Sequence, residues 1–193
     1  MVKIGFIVEG NTEKVIIDSL QFKEFLKNLG LSVVDPVLDA KGNGNLLPQN
    51  IEPFINRLQG ANASQIIVIT DADDNTVTQV KKRILPKKNL YKIDAIIVAV
   101  KAFEAWFLAC DELMRNVLRI PDFSMEYPER TPELPFDYIK NLTAQKQVRG
   151  PGSKISFAKR VLRHGFSLQT AANHPHCPSA TSFLNYLHQI AEQ

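Results

Sequence analysis

The 193-residue chain is poor in cysteine, with Cys110 and Cys177 alone, and it holds a single tryptophan, Trp106. Two cysteines cannot build the framework of a disulfide-stapled fold, and their scarcity points to a reducing compartment. No stretch approaches the ~20 apolar residues that a membrane-spanning helix requires. The opening MVKIGFIVEG lacks the apolar length and small-residue cleavage site of a signal peptide. These absences predict a cytoplasmic protein with no membrane partner. Acid is also nearly missing from one end. Residues 141–193 carry six Lys and Arg against Glu192 alone, together with all four histidines. Residues 1–140 carry 17 basic and 19 acidic residues, so the net charge of +3 conceals a polarised chain. Such a tail suits an anionic partner, or else a plain solvated basic surface.

What is present is apolar material, 45% of the chain, enough for one full core and a small appendage. Val2–Val8 is a short apolar run suited to a strand buried on both faces. A helical pattern follows through Leu29, capped by Asn11 or Thr12 and ended by Gly30. Leu31–Leu38 reads as a second strand, at an edge because of Pro36, and Pro48–Leu58 as a helix. Gln65–Thr70 is the clearest strand, followed by a polar helix from Thr76 to Ile84 that stops near Pro86. Asp94–Val100 is a further strand, running into a helix whose apolar face holds Phe103, Trp106, Phe107, Cys110 and Leu113. Strands alternating with helices predict an α/β fold, a mostly parallel Rossmann-like sheet flanked by helices. Four prolines between Ile120 and Pro135 mark an irregular connection, with helices beyond it near Phe136–Gln145, Lys154–His164 and Ser179–Ala191. The expected organisation is a core over 1–118, with a linker and a small C-terminal helical cap over 119–193.

Ligands of open parallel sheets bind at the carboxyl ends of the strands. Three of the predicted strands deliver carboxylates there: Glu9 after the first, Asp71 and Asp73 after the third, and Glu104 one turn beyond the fourth. Gathered in one cleft, they would repel one another without a hard cation, so Mg²⁺ or Mn²⁺ is the natural occupant. Each acid alone also has a plain reading: Asp73 as a helix cap, Glu13 as a helix-start glutamate answering the macrodipole. The stretch His174-Pro175-His176-Cys177 has no second Cys or His cluster to complete a zinc site.

Val8-Glu9-Gly10-Asn11-Thr12-Glu13 and Ile69-Thr70-Asp71-Ala72-Asp73 resemble the two signature motifs of the TOPRIM superfamily. That superfamily includes topoisomerases, bacterial primases, recombination-repair proteins and OLD-type nucleases. The nearer likeness is to small prokaryotic TOPRIM-like proteins, through the segments Ala99–Ala109 and Cys177–Leu184. Cys110-Asp111 departs from it by setting the acid one position late. The resemblance implies Mg²⁺ held by Glu9, Asp71 and Asp73; a second ion could be held by Glu104 or Glu13. It also implies phosphodiester hydrolysis on DNA or RNA, in mobile-element or phage-defence settings, beside an ATPase. This chain has no ATP-binding motif, so that ATPase would be a separate chain, and the sequence is compatible with a homo-oligomer.

Basic residues to hold a phosphate chain are Lys101 at the end of the fourth strand and the group Arg149, Lys154, Lys159, Arg160 and Arg163. The Arg149–Lys154 loop opens a helix whose amides can meet phosphate, without matching a Walker loop. A topoisomerase-like nucleophile would have to be Tyr91, Tyr127, Tyr138 or Tyr186, none with supporting context. Two rivals to a nuclease are a non-catalytic metal- or nucleic-acid-binding module and a receiver-like regulatory domain. The second is weakened by Glu9 standing where receivers gather paired aspartates.

Overall fold

A computed structural model describes residues 1–85 and 92–192, and the expected stop at Pro86 and the candidate Tyr91 fall outside them. Val2–Val8 forms β1, whose residues from Ile4 onward are all buried, as a strand packed on both faces must be. The predicted first helix is two helices, α1 (Asn11–Ile17) and α2 (Leu20–Asn28). Ser19 makes the break: its hydroxyl donates to the Ile16 carbonyl and accepts the Phe22 amide, ending one helix and capping the next. Neither Asn11 nor Thr12 caps α1; that position falls to Gly10, with no side-chain bond. Gly30, at φ +75°, does end α2.

The predicted second strand is two short pieces, β2 (Leu31–Val33) and β3 (Leu38–Asp39), parted by a cis Asp35–Pro36 bond. A 3₁₀ turn (Asn43–Leu46) and α3 (Pro48–Gly60) lead to β4 (Gln65–Asp71). α4 (Val77–Ile84) is capped by Thr76, whose hydroxyl and backbone amide exchange bonds with Gln79. Then come β5 (Ala95–Ala99), α5 (Glu104–Leu108) and α6 (Asp111–Leu118). The tail adds α7 (Pro135–Gln145), α8 (Lys154–Arg163), α9 (Leu168–Ala172) and α10 (Pro178–Ala191). The five-residue α9 is an addition to the expected elements, too short to show a helical period.

The sheet is parallel throughout, in the order β2-β1-β4-β5, with β3 also beside β1. It is an α/β fold of the Rossmann-like kind. One apolar core, on the face of α3 and α4, holds Ile7, Ile51, Ile55, Ile66, Val68 and Val80. On the same face the missing side chain of Gly5 lets Leu58 close in, since an added Cβ there would lie 2.9 Å from a Leu58 methyl. The other core joins α1 and α2 to the tail helices, with Phe6, Trp106, Phe157 and Phe183 among its members. Trp106 is tied to α10 by a 2.7 Å bond from its ring N–H to the Ser179 hydroxyl, which donates in turn to buried Glu129. Among the described residues, no helix is long and apolar enough to cross a membrane.

From β1 the chain first travels through α1 and α2 to β2 and β3. It then returns across the sheet by α3, on the opposite face, to β4. The strand order therefore reverses between β1 and β4, and a crevice opens at their carboxyl ends. Glu9 follows one of these strands and Asp71 ends the other.

Candidate metal centre

Adjacent parallel strands bring Glu9 and Asp71 together through backbone register. The Glu9 amide bonds the Ile69 carbonyl at 3.0 Å. The Glu9 carboxylate accepts from the Thr70 hydroxyl at 2.5 Å and from the Asp71 amide at 3.1 Å. Asp71 accepts the Phe103 amide at 2.8 Å, so it pins the start of the segment that carries Glu104. Glu104 is 2% exposed. One of its oxygens meets the Thr12 hydroxyl at 3.5 Å and the Lys154 ammonium at 3.2 Å, while Oε2 has no partner although it is buried. Glu13, on the first turn of α1, is 4% exposed. Glu9, Glu13 and Asp71 line an open cleft of about 410 Å³ with Lys154, and Asp39, Lys41 and Gly42 stand along it.

Two of these carboxyls, Glu13 and Asp71, hold their protons more tightly than usual. Burial pushes Glu13 up to about 7, against a bond from its own backbone amide, with repulsion from Glu104 and Glu9 added and Lys154 opposing. Burial likewise lifts Asp71 well above the usual range, helped by Glu13, Glu104 and Glu9. Burial works against the charge on Lys154, but Glu104, Asp71 and Glu13 together more than offset it, so its pKa is raised.

The expected residues do not all meet. Asp73 lies just past the cleft, half-buried and in a left-handed conformation at φ +50°, its amide bonded to the Lys101 carbonyl. Lys101 turns its ammonium onto the carbonyls of Thr131, Pro132 and Glu133, away from the carboxylates. The cation that pairs with a cleft carboxylate is instead Lys154, which the sequence groups with a nucleic-acid surface. The helix start of α8 offers less to phosphate than expected, because the Ser153 hydroxyl takes the Ser156 amide. Arg149, Arg160 and Arg163 line a separate pocket, and Lys159 lines neither. Asp39 and Lys41 join the site without having been expected there; the signal for them is that Asp39, too, ends a strand.

The remaining candidates take up other places. Both cysteines are free and buried, and burial, with Asp111 adding, lifts the Cys110 thiol to about 12. The His174 ring is engaged at both nitrogens, by the His176 amide and the Met125 carbonyl. Tyr127, Tyr138 and Tyr186 stand outside the cleft.

The donor set consists of oxygens alone, and the orphaned Glu104 Oε2 is a buried acceptor that wants a positive partner. Both features fit Mg²⁺ or Mn²⁺. Among the described residues, no three His, Cys, Asp or Glu side chains already converge at ligand spacing. The carboxylates are held apart by their bonds to Thr70, Phe103, Thr12 and Lys154. Compared with known proteins, the chain matches no family model, no curated protein and no solved structure.

Lys154 is half exposed, whereas its partner Glu104 is buried. Lys154→Met is therefore expected to cost about 1–3 kcal/mol in metal-free buffer, less than for a fully buried pair. The same change leaves the cleft more negative and should tighten Mn²⁺ binding. Denaturant melts in EDTA and a Mn²⁺ titration check the two halves; unchanged stability with weaker binding would contradict both.

Proposed function

We propose that the chain is a Mg²⁺- or Mn²⁺-dependent phosphodiester hydrolase acting on DNA or RNA, of the TOPRIM kind. The observation that carries this reading is the set of four carboxyls at the β1/β4 reversal, one of them a buried glutamate with an unpartnered oxygen. Glu9, Asp71, Glu104 and Glu13 would hold the ion, and Asp73 is the ligand that the family resemblance adds. When bound, the ion supplies Lewis-acid polarisation of the phosphodiester and a hydrolytic nucleophile at neutral pH. Lys154, on the cleft wall, would offset phosphate charge, and Thr70 and the Asp71 amide fix the Glu9 carboxylate in place. Glu104 itself is buried, so its own charge interactions are little weakened by bulk water. Mobile-element or phage defence beside a separate ATPase is the setting we propose for it.

A second reading, a non-catalytic metal- and nucleic-acid-binding module, is favoured by one observation: the carboxylates are held by hydrogen bonds instead of converging. Plasmid DNA and RNA incubated with the protein in Mg²⁺ or Mn²⁺ separate the two. Cleavage that EDTA stops is the expected result. Intact nucleic acid, with Mn²⁺ bound in the cleft, would leave the binding module.

A further inference from the structure

The second half of α8 lies against a pocket of about 500 Å³ lined by Arg149, Gly150, Arg160, Arg163 and His164, apart from the acidic cleft. Among the described residues, no ion pair involves Arg119, Arg149, Arg160 or Arg163. Arg160 lies with its guanidinium 5.2 Å from the Phe157 ring centre, and its Nε is shut off from solvent without a partner. Its side chain makes one long hydrogen bond, 3.5 Å from Nη2 to the Gly150 carbonyl. Burial and then the charges of Arg149, Arg119 and Arg163 pull its pKa down.

Like charges gathered without a counter-ion cost stability, and guanidinium forks match the oxygens of a phosphate. We infer that Arg149, Arg160 and Arg163 form a phosphate pocket for the nucleic-acid strand, separate from the acidic cleft. The inference rests on the nucleic-acid reading above. It is strengthened by where α8 runs: Lys154 and Ile155 line the cleft, while Ser156, Arg160 and Arg163 line the pocket. At 1.5 Å of rise per residue, Arg160 and Arg163 lie ~9–14 Å from Lys154 along the helix axis. A strand rising ~3.4 Å per nucleotide covers that in about three to four nucleotides. One strand can therefore occupy both, held by the arginines and presented to the carboxylates.

The test measures binding of a labelled single-stranded oligonucleotide to the whole protein in EDTA, so that binding is read without cleavage. Arg149 and Arg163 are exposed, so Arg149→Gln and Arg163→Gln should fold, and melting curves verify it. Each is expected to weaken binding about 10-fold or more. Each should also flatten the salt dependence, by ~0.7 in log–log slope for every phosphate no longer neutralised. Lys27→Gln, at an exposed position of α2, should bind as the parent does. Inorganic phosphate should raise the parent's melting temperature above that in NaCl of equal ionic strength, and raise it less in the arginine variants. Arginine variants that bind like the parent would overturn the pocket, as would a Lys27→Gln loss of equal size. A phosphate effect with no oligonucleotide binding would overturn the strand as occupant. Absence of cleavage in Mn²⁺ alongside arginine-dependent binding would remove the hydrolase and leave the pocket standing.

Discussion

Asp71→Asn is expected to abolish metal-dependent cleavage and, at the same time, to make the metal-free protein harder to melt. The two effects have one origin. Asp71 is held at high proton affinity by burial and by Glu13, Glu104 and Glu9, so its charge is a strain on the fold unless a cation is present. Asparagine keeps an oxygen to accept the Phe103 amide, so the turn that leads to Glu104 survives. It removes one repelling charge, and a chain of this size gains about 2–4 °C per kcal/mol relieved. Cleavage should fall by at least ~10²-fold, the scale for losing one preorganised electrostatic group. Opposite movements of stability and activity are the signature of a group kept for chemistry and not for folding. Melting in EDTA at pH 8, beside a plasmid assay, reads both. A lower melting temperature with undiminished cleavage would take Asp71 out of the site.

The second large effect is on pH. Glu13 binds its proton with a pKa of about 7 in the folded chain, against 4.5 as an ordinary glutamate. Below about pH 4.5 both folded and unfolded chains hold the proton, and nothing is lost. Between about 4.5 and 7 the unfolded chain has released it while the folded chain retains it, so stability falls as pH rises, and levels off above 7. Glu13 alone accounts for a loss of about 3 kcal/mol across that window, and Asp71 shifts in the same direction. Urea unfolding in EDTA at pH 5 and pH 8 should show the metal-free protein more stable at the lower value. Mn²⁺ at about 100 times its dissociation constant should restore about 2.7 kcal/mol at pH 8. Equal stability at both pH values would mean that the carboxyls do not share one low-dielectric cleft.

The sheet is legible in the sequence because its strands are buried on both faces and announce themselves as apolar runs; Val2–Val8 and Gln65–Thr70 fall within a residue of their observed limits. The carboxylates are legible for a related reason: a parallel α/β sheet sends all its strand ends to one side, so acids following strands must be neighbours. Less visible is which cation joins them. Lys101 is close in sequence to Glu104, but a left-handed backbone at φ +59° turns it toward the 131–133 carbonyls. Lys154 arrives through tertiary packing of α8, which no local pattern encodes. The split at Ser19 is hidden because the apolar spacing continues across it, and only the hydroxyl's bonds to Ile16 and Phe22 part the two helices.

The ion pair between Glu104 and Lys154 has a consequence for synthesis. A ribosome makes the chain from the N-terminus, so β1, β4 and α5 emerge with their acids well before α8 supplies the opposing charge and Phe157 and Phe183 complete the apolar face. Until then Glu104 lacks its Lys154 partner and the core is unfinished. A chain arrested before α8 would carry its acidic strand ends without the Lys154 and Ile155 wall of the cleft and without the Phe157 and Phe183 part of the core.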